Sequence, residues 1–131
     1  AYNDFEQAMK NVAKKLVEVS DETVLIAFSP EKVYYTGLSN LFDKPDFEEI
    51  KHIASVSDAF DHSEESLPEF FEKVKNEPDF YLGDEHPFGN KLSVIASRFG
   101  ANDKSLIVLL GPQRMNYKKN WNLIHKIIEI I

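Results

Sequence analysis

The chain has 131 residues, 43% of them hydrophobic and 28% charged, with a net charge of −7. Ten Phe, five Tyr and one Trp can fill the core of a single compact domain, residues 1–131, which excludes a disordered or fibrous chain. Zero cysteines remove disulfides, thiolate metal sites and Cys nucleophiles, and no apolar run approaches the about 20 residues a membrane helix needs.

From Asp4 to Val19 apolar residues recur at Phe5, Met9, Val12, Leu16 and Val19. These steps of three and four predict an amphipathic helix, capped by Asn3 or Asp4. Residues 23–28 and 32–36 are β-branched, apolar and aromatic, with Ser29-Pro30 between them, and predict an antiparallel hairpin closed by Gly37. Asp46 with Glu49 reads as a capping box that opens a helix through Ile50, Ile53, Ala54 and Phe60. Ser66 with Glu69 repeats the signal before Phe70, Phe71 and Val74, so two helices are expected, with a solvated acidic break from Asp61 to Ser66.

The second half predicts strands over 80–82, 91–99 and 105–110. Leu92, Val94 and Ala96 alternate with Ser93, Ile95 and Ser97, a strand with one face more buried. Gly100 to Asp103 has turn chemistry. Leu106 to Leu110 is apolar on both faces and predicts a central strand, ended by Gly111-Pro112. After Asn116 as cap, Tyr117, Trp121, Ile124, Ile128 and Ile131 trace a helical stripe. Strands cluster rather than alternate with helices, which predicts an α+β fold with an antiparallel sheet.

Charge is distributed unevenly. Residues 42–87 carry four Lys against fourteen acids, whereas residues 88–131 carry seven Lys or Arg against two acids. Nucleic-acid binding needs clustered positive charge, and the basic residues of the last third are spread over strands and one helix. His52, His62, His86 and His125 lie far apart without metal-ligand spacing and read as solvated or helix-surface residues. No nucleophile elbow, phosphate loop or dinucleotide fingerprint occurs. The adjacent pairs Glu48-Glu49 and Glu64-Glu65 read as a solvated face, because neighbours on a helix do not face each other. Phe70 and Phe71 read as core. Catalytic residues, metal ligands and a cofactor are therefore not expected.

Three segments place polar residues where packing alone does not ask for them: 35–42, 81–87 and 110–117. Ser39 and Asn40 lie between apolar neighbours, where their side chains can satisfy loop backbone groups. Arg114 stands at a helix start, where the helix dipole disfavours a cation. It therefore needs a specific partner, and it reads as a structural clamp on the Ser39-Asn40 loop or the Asp84-Glu85 turn.

At these segments the chain resembles the C-terminal regulatory part of the HrcA-type heat-inducible transcription repressors. That family carries G-T-S-N-L-L, then Q-P-E-F, then I-G-E-E-N-P, then G-x-I-G-V-I-G-P-T-R-M-D-Y before a last helix. The matching residues are Gly37, Ser39, Asn40 and Leu41; Pro45 and Phe47; Gly83, Glu85 and Pro87; and Gly111, Pro112, Arg114, Met115 and Tyr117. They occur in the family's order across residues 33–131. Residues 93–101 are similar to the family's S-L-V-T-A-x-Y-G. Leu38, Phe42, Asp84, His86, Gln113 and Asn116 depart from the pattern. So do the missing winged-helix domain and the missing dimerisation insert, since only a few residues separate the first two strands.

The resemblance implies a GAF-like fold, about five antiparallel strands with the N- and C-terminal helices packed on one face. It implies a cytoplasmic, non-catalytic regulatory domain of a repressor of chaperone genes. Its partners would be a second copy in a homodimer, the chaperonin GroEL, and DNA only through the absent N-terminal domain. A small-molecule-sensing GAF-like domain is the alternative, marked by a polar pocket lined by Tyr34, Ser39, Asn40 and Arg114. Exposed Tyr, Trp and Phe on an open sheet face would mark a partner surface.

Overall fold

Strands that are apolar on both faces, as at Val24–Ala27 and Leu106–Leu110, need a sheet covered on two sides, and a computed structural model, which describes residues 2–44 and 50–131, shows one. In chain order the elements are α1 (Tyr2–Ser20), β1 (Thr23–Ser29), β2 (Lys32–Thr36), α2 (Leu38–Phe42), α3 (Ile50–Lys73), β3 (Asp79–Leu82), β4 (Leu92–Phe99), β5 (Ser105–Pro112) and α4 (Tyr117–Ile130). The five strands lie in the order β2-β1-β5-β4-β3, and every neighbouring pair is antiparallel. β5 is buried along its whole length between β1 and β4, as its two-sided apolar run requires.

The period of two along each strand sorts side chains into two layers. Val24, Ile26, Ile95, Ile107 and Leu109 meet Met9, Ala13 and Leu16 of α1 and Ile124 of α4. Leu25, Ala27, Val94, Leu106 and Val108 meet Leu41 of α2 and Leu67, Phe70, Phe71 and Val74 of α3. The two terminal helices therefore share one face, as expected. The other face is covered by α2 and α3, so among the described residues the sheet has no open face on which exposed aromatics would mark a partner surface. Trp121 is half-buried, and Phe80 on the edge strand packs edge-on against Tyr117 at 5.7 Å.

Several expectations need correction. The acidic stretch 61–66 is not a break: α3 runs through it without interruption, and Ser66 and Glu69 lie inside the helix. Asp61, His62, Glu65 and Ser66 are exposed, so their charges and hydroxyl are solvated without ending the helix. The apolar stripe at Leu67, Phe70, Phe71 and Val74 then holds the last turns to the sheet despite Pro68, which removes one helical amide. α1 begins at Tyr2, so Asn3 and Asp4 fall in its first turn rather than at its cap. Residues 38–42, read as a connection, form the single-turn helix α2. β4 is buried on both faces, with Ser93 and Ser97 at 2% and 0% exposure. The Asp46–Glu49 capping box and the matches at Pro45 and Phe47 lie outside the described residues.

Candidate functional site: a buried carboxylate where the polar segments meet

The turn from α1 into β1 is made by Ser20, Asp21 and Glu22. Asp21 takes a left-handed backbone (φ 58°), which Asp tolerates better than most residues, and its amide donates to Val17 O at 2.9 Å. This turn carries Glu22 inward, where it is only 4% exposed. Lys44 Nζ lies 3.1 Å from Glu22 Oε1, and Asn120 Nδ2 donates to Oε2 at 3.2 Å. Asn40 Nδ2 donates to the Glu22 carbonyl at 3.1 Å, and Thr23 Oγ1 donates to Gly37 O at 2.8 Å. One acidic residue thus ties the end of α1, the α2 loop and α4 to the centre of the sheet. Burial pushes its carboxyl above the ordinary carboxylate value, with Lys44 and Asn120 pulling the other way.

Gly111 makes this approach feasible. A Cβ there would collide with Glu22 Oε2 and stand 2.9 Å from Met115 Sδ. Gly37 has φ +81°, and a Cβ on it would lie 2.8 Å from the Val17 methyls. After β5, Met115 N–H donates to Pro112 O at 3.0 Å, and Asn116 Oδ1 accepts from Lys119 N–H at 3.1 Å as the α4 cap. The Tyr117 hydroxyl donates to Gln113 O, so the 2.7 Å contact with Ser93 Oγ has the serine as donor. Tyr117 therefore pins the β5–α4 loop onto β4.

A cavity of about 250 Å³ opens beside this junction. Among the described residues Glu22, Lys44, Arg114, Met115, Lys119 and Asn120 line it. Asn120 is 1% exposed, and its Oδ1 has no hydrogen-bond partner among the described residues.

The remaining predicted residues sit elsewhere. Gly83 (φ +59°) and Glu85 belong to a short 3-10 turn (Gly83–Glu85) after β3, where Glu85 Oε1 accepts from Leu82 N–H at 2.9 Å and Lys73 Nζ donates to Glu85 O at 3.0 Å. Next to it His86 is buried, not solvated. Its Nδ1 accepts from Phe88 N–H at 3.1 Å, which leaves Nε2 to donate to Leu92 O at 2.8 Å. Burial lowers its pKa, so this ring is neutral. His62 is exposed, and His125 stacks on Trp121 at 4.8 Å. Among the described residues no group of three or more His, Asp or Glu is placed to hold a metal.

The structure thus brings Gly37, Asn40, Gly111, Pro112, Arg114 and Met115 together around Glu22. It leaves Gly83 and Glu85 apart, and Ser39 exposed on α2 with its carbonyl accepting from Asp43 N–H at 2.9 Å. The four-residue pocket of the alternative reading is not assembled: Arg114 lines the cavity, whereas Tyr34 packs against the α1–α4 layer and lies under Lys10. Asn40 fastens the α2 loop and Lys73 the 83–85 turn by the bonds just described. Another guanidinium acts as a clamp: Arg98 donates to Val74 O at 2.7 Å and to Asp103 O at 3.1 Å. Sequence reasoning missed Glu22, Arg98 and Asn120. Only Asn120 carried a signal, since it lies three residues after Tyr117 and four before Ile124 on the buried stripe of α4.

A five-stranded antiparallel sheet with both terminal helices on one face is a GAF-like α+β fold. The family profile described as HrcA protein C terminal domain matches residues 2–120, and the chain belongs to that family. The heat-inducible transcription repressor HrcA of Thermodesulfovibrio yellowstonii is 31% identical over 117 residues, covering 85% of this chain and 33% of that protein. The HrcA repressor of Clostridium perfringens is 26% identical over 135 residues, covering 98% of this chain and 37% of the relative. The chain therefore spans about a third of the length of the curated relatives it matches. A hypothetical protein solved by crystallography at 2.2 Å shares the fold, with a TM-score of 0.55 at 15% identity over 76% of this chain and 32% of its own. No helix among the described residues is long and apolar enough to cross a membrane.

Proposed function

We propose that this chain is the regulatory domain of a heat-inducible repressor of chaperone genes, acting in the cytoplasm as one GAF-like unit over residues 1–131. In this reading the operator is held by a winged-helix domain outside this chain, this domain assembles with a second copy, and the chaperonin GroEL promotes its active form. The observation that carries the reading is the family match over residues 2–120, with repressors as the relatives. The residues that joined the family resemblance, Gly37, Asn40, Gly111 and Met115, surround one buried carboxylate, which supports a relay. A shift in the α2 loop, α1 or α4 must disturb Glu22, and through it the sheet centre.

The switch would be marginal stability. A domain only a few kcal/mol from unfolding changes its folded fraction steeply with temperature. A carboxylate held in the interior against its hydration keeps the margin small. Heat occupies the chaperonin with other clients, the repressor slips into its inactive form, and the operator is released.

The test is a mobility shift of the full-length repressor carrying this domain on an inverted-repeat operator, with and without chaperonin, using this domain alone as control. Binding strengthened by chaperonin, with none by the domain alone, is expected. Absence of binding in both conditions would overturn the reading.

A further inference from the structure

We propose that β3 is a latent pairing edge that Asp79 and Glu85 hold shut, so that a second copy of this chain cannot add its own β3 to the sheet. The device stands on the geometry of this edge and does not depend on the repressor reading.

The edge has the side chains that strand pairing favours. β3 is last in the sheet order, so among the described residues no strand pairs with its outer side. Phe80 and Leu82 are 38% and 46% exposed. The period of two puts both on the face of α4, where Phe80 packs on Tyr117. Exposed apolar side chains on an unpaired strand form a template for another strand, and two copies of one edge are self-complementary about a two-fold axis.

The backbone is where this edge is closed. In an antiparallel ladder alternate residues turn their N–H and C=O groups to opposite sides. The amides of Phe80 and Leu82 are taken by side chains rather than by β4, which places both on the outer side. Asp79 Oδ1 accepts from Phe80 N–H at 2.8 Å, and Glu85 Oε1 accepts from Leu82 N–H at 2.9 Å. Two carboxylate oxygens thus stand where the carbonyls of an incoming strand would have to come. Hydrogen bonds to a charged acceptor are also stronger than those to a neutral carbonyl.

Both carboxylates are themselves fixed. Lys75 Nζ holds Asp79 Oδ2 at 3.2 Å, and the bond from the Phe80 amide keeps that carboxyl below its ordinary value. Gly83, with φ +59°, turns the chain back after Leu82, and Lys73 Nζ fastens the turn at Glu85 O. The Glu85 side chain therefore reaches the strand it follows. Self-pairing would have to displace these oxygens and bring two carboxylates from each copy into one short ladder, where like charges repel.

The test is sedimentation velocity of variants against the wild-type chain, so its outcome does not depend on whether the wild type is a monomer or assembles through another surface. Asp79→Ala with Glu85→Ala removes both oxygens and should make the chain self-associate at least about tenfold more tightly than the wild type, each single change giving part of the effect. Asp79→Asn with Glu85→Gln keeps an acceptor oxygen for each amide and should assemble less than the Ala pair. Adding Phe80→Lys to the Ala pair should return the chain to its wild-type mass, which ties the assembly to this edge. Unchanged association of the Ala pair would overturn the proposal. So would an Asn/Gln pair that assembles as fully as the Ala pair, or assembly that Phe80→Lys does not reverse.

Discussion

The two ends of this sheet solve opposite problems. Under α3 and the β3–β4 connection the core is aromatic carbon: Phe70 meets Tyr81 at 5.4 Å and Phe88 at 6.0 Å, both edge-on, and Phe88 is fully buried. The polar group nearby, His86, has both ring nitrogens bonded. At the Glu22 end the interior holds a carboxylate, a lysine and an amide with one orphan oxygen. The aromatic end is built to be stable. The polar end is stabilising only while its partners stay in register, because a buried charge pair must recover its own dehydration. Free energy is therefore concentrated at one end of the domain, and sensitivity at the other.

The most forceful way to break this contrast is Phe88→Ala. Emptying a fully buried aromatic site should cost about 3–5 kcal/mol in urea unfolding. A loss below about 1 kcal/mol would mean that the aromatic end is not where the stability lies. Next comes Gly111→Ala, which drives a methyl into Glu22 Oε2 and should cost about 1–3 kcal/mol. Glu22→Ala in the same chain should give part of that back, and strictly additive losses would show the two residues to be uncoupled.

His86 sharpens the comparison through pH. Its folded-state pKa is lowered, so the unfolded chain takes up the proton more readily. Its stabilising effect is present in full above the ordinary value of 6.5 and is lost as the pH falls below it. Unfolding midpoints followed across this range should fall on acidification, and His86→Asn should flatten the slope. Gly83→Ala is a milder probe: its φ of +59° strains a side chain, yet nothing lies within 4 Å of the new methyl. About 1 kcal/mol of strain is the expected loss.

The smallest effect is the most diagnostic. Glu22 has a raised carboxyl pKa, so ionising it in the folded state is unfavourable. Glu22→Gln should leave the neutral-pH midpoint unchanged or slightly higher. Any gain should vanish as the pH falls below the ordinary 4.5, where the wild-type carboxyl is protonated in both states. A drop at neutral pH would show that the Lys44 pair outweighs dehydration.

The layered frame was legible in the sequence because period-two and period-3.6 patterns report burial directly. Thus β5 reads as central from its uninterrupted Leu106–Leu110 run, and Asn116 reads as a cap from its place before Tyr117. The merged helix was not legible. Ser66 followed by Glu69 has the same spelling inside a solvated turn as at a helix start, and only the packing of Leu67 and Phe70 decides between them. Likewise, Arg114 stands out in the sequence as a cation at a helix start, whereas Glu22, the buried carboxylate at the centre of the junction, does not. Nothing local distinguishes a buried Glu in Ser20-Asp21-Glu22-Thr23 from a solvated one. Its partners, Lys44 and Asn120, come from remote segments, and a pairing of that kind exists only in three dimensions.

The register of β1 against β5, with Thr23 opposite Leu110, has a consequence in time. A ribosome adding about 5–20 residues per second delivers β1 roughly 5–20 s before the strand that closes its inner edge. Throughout that interval Leu25 and Ile26 have no sheet centre to join, and α1 has no partner in α4. Non-local pairing of this kind is intrinsically slow, and it leaves apolar surface exposed while the chain waits. The nascent domain thus passes through a stage in which its own future core is its stickiest surface, and how long it stays there is set by the distance between its first strand and its last.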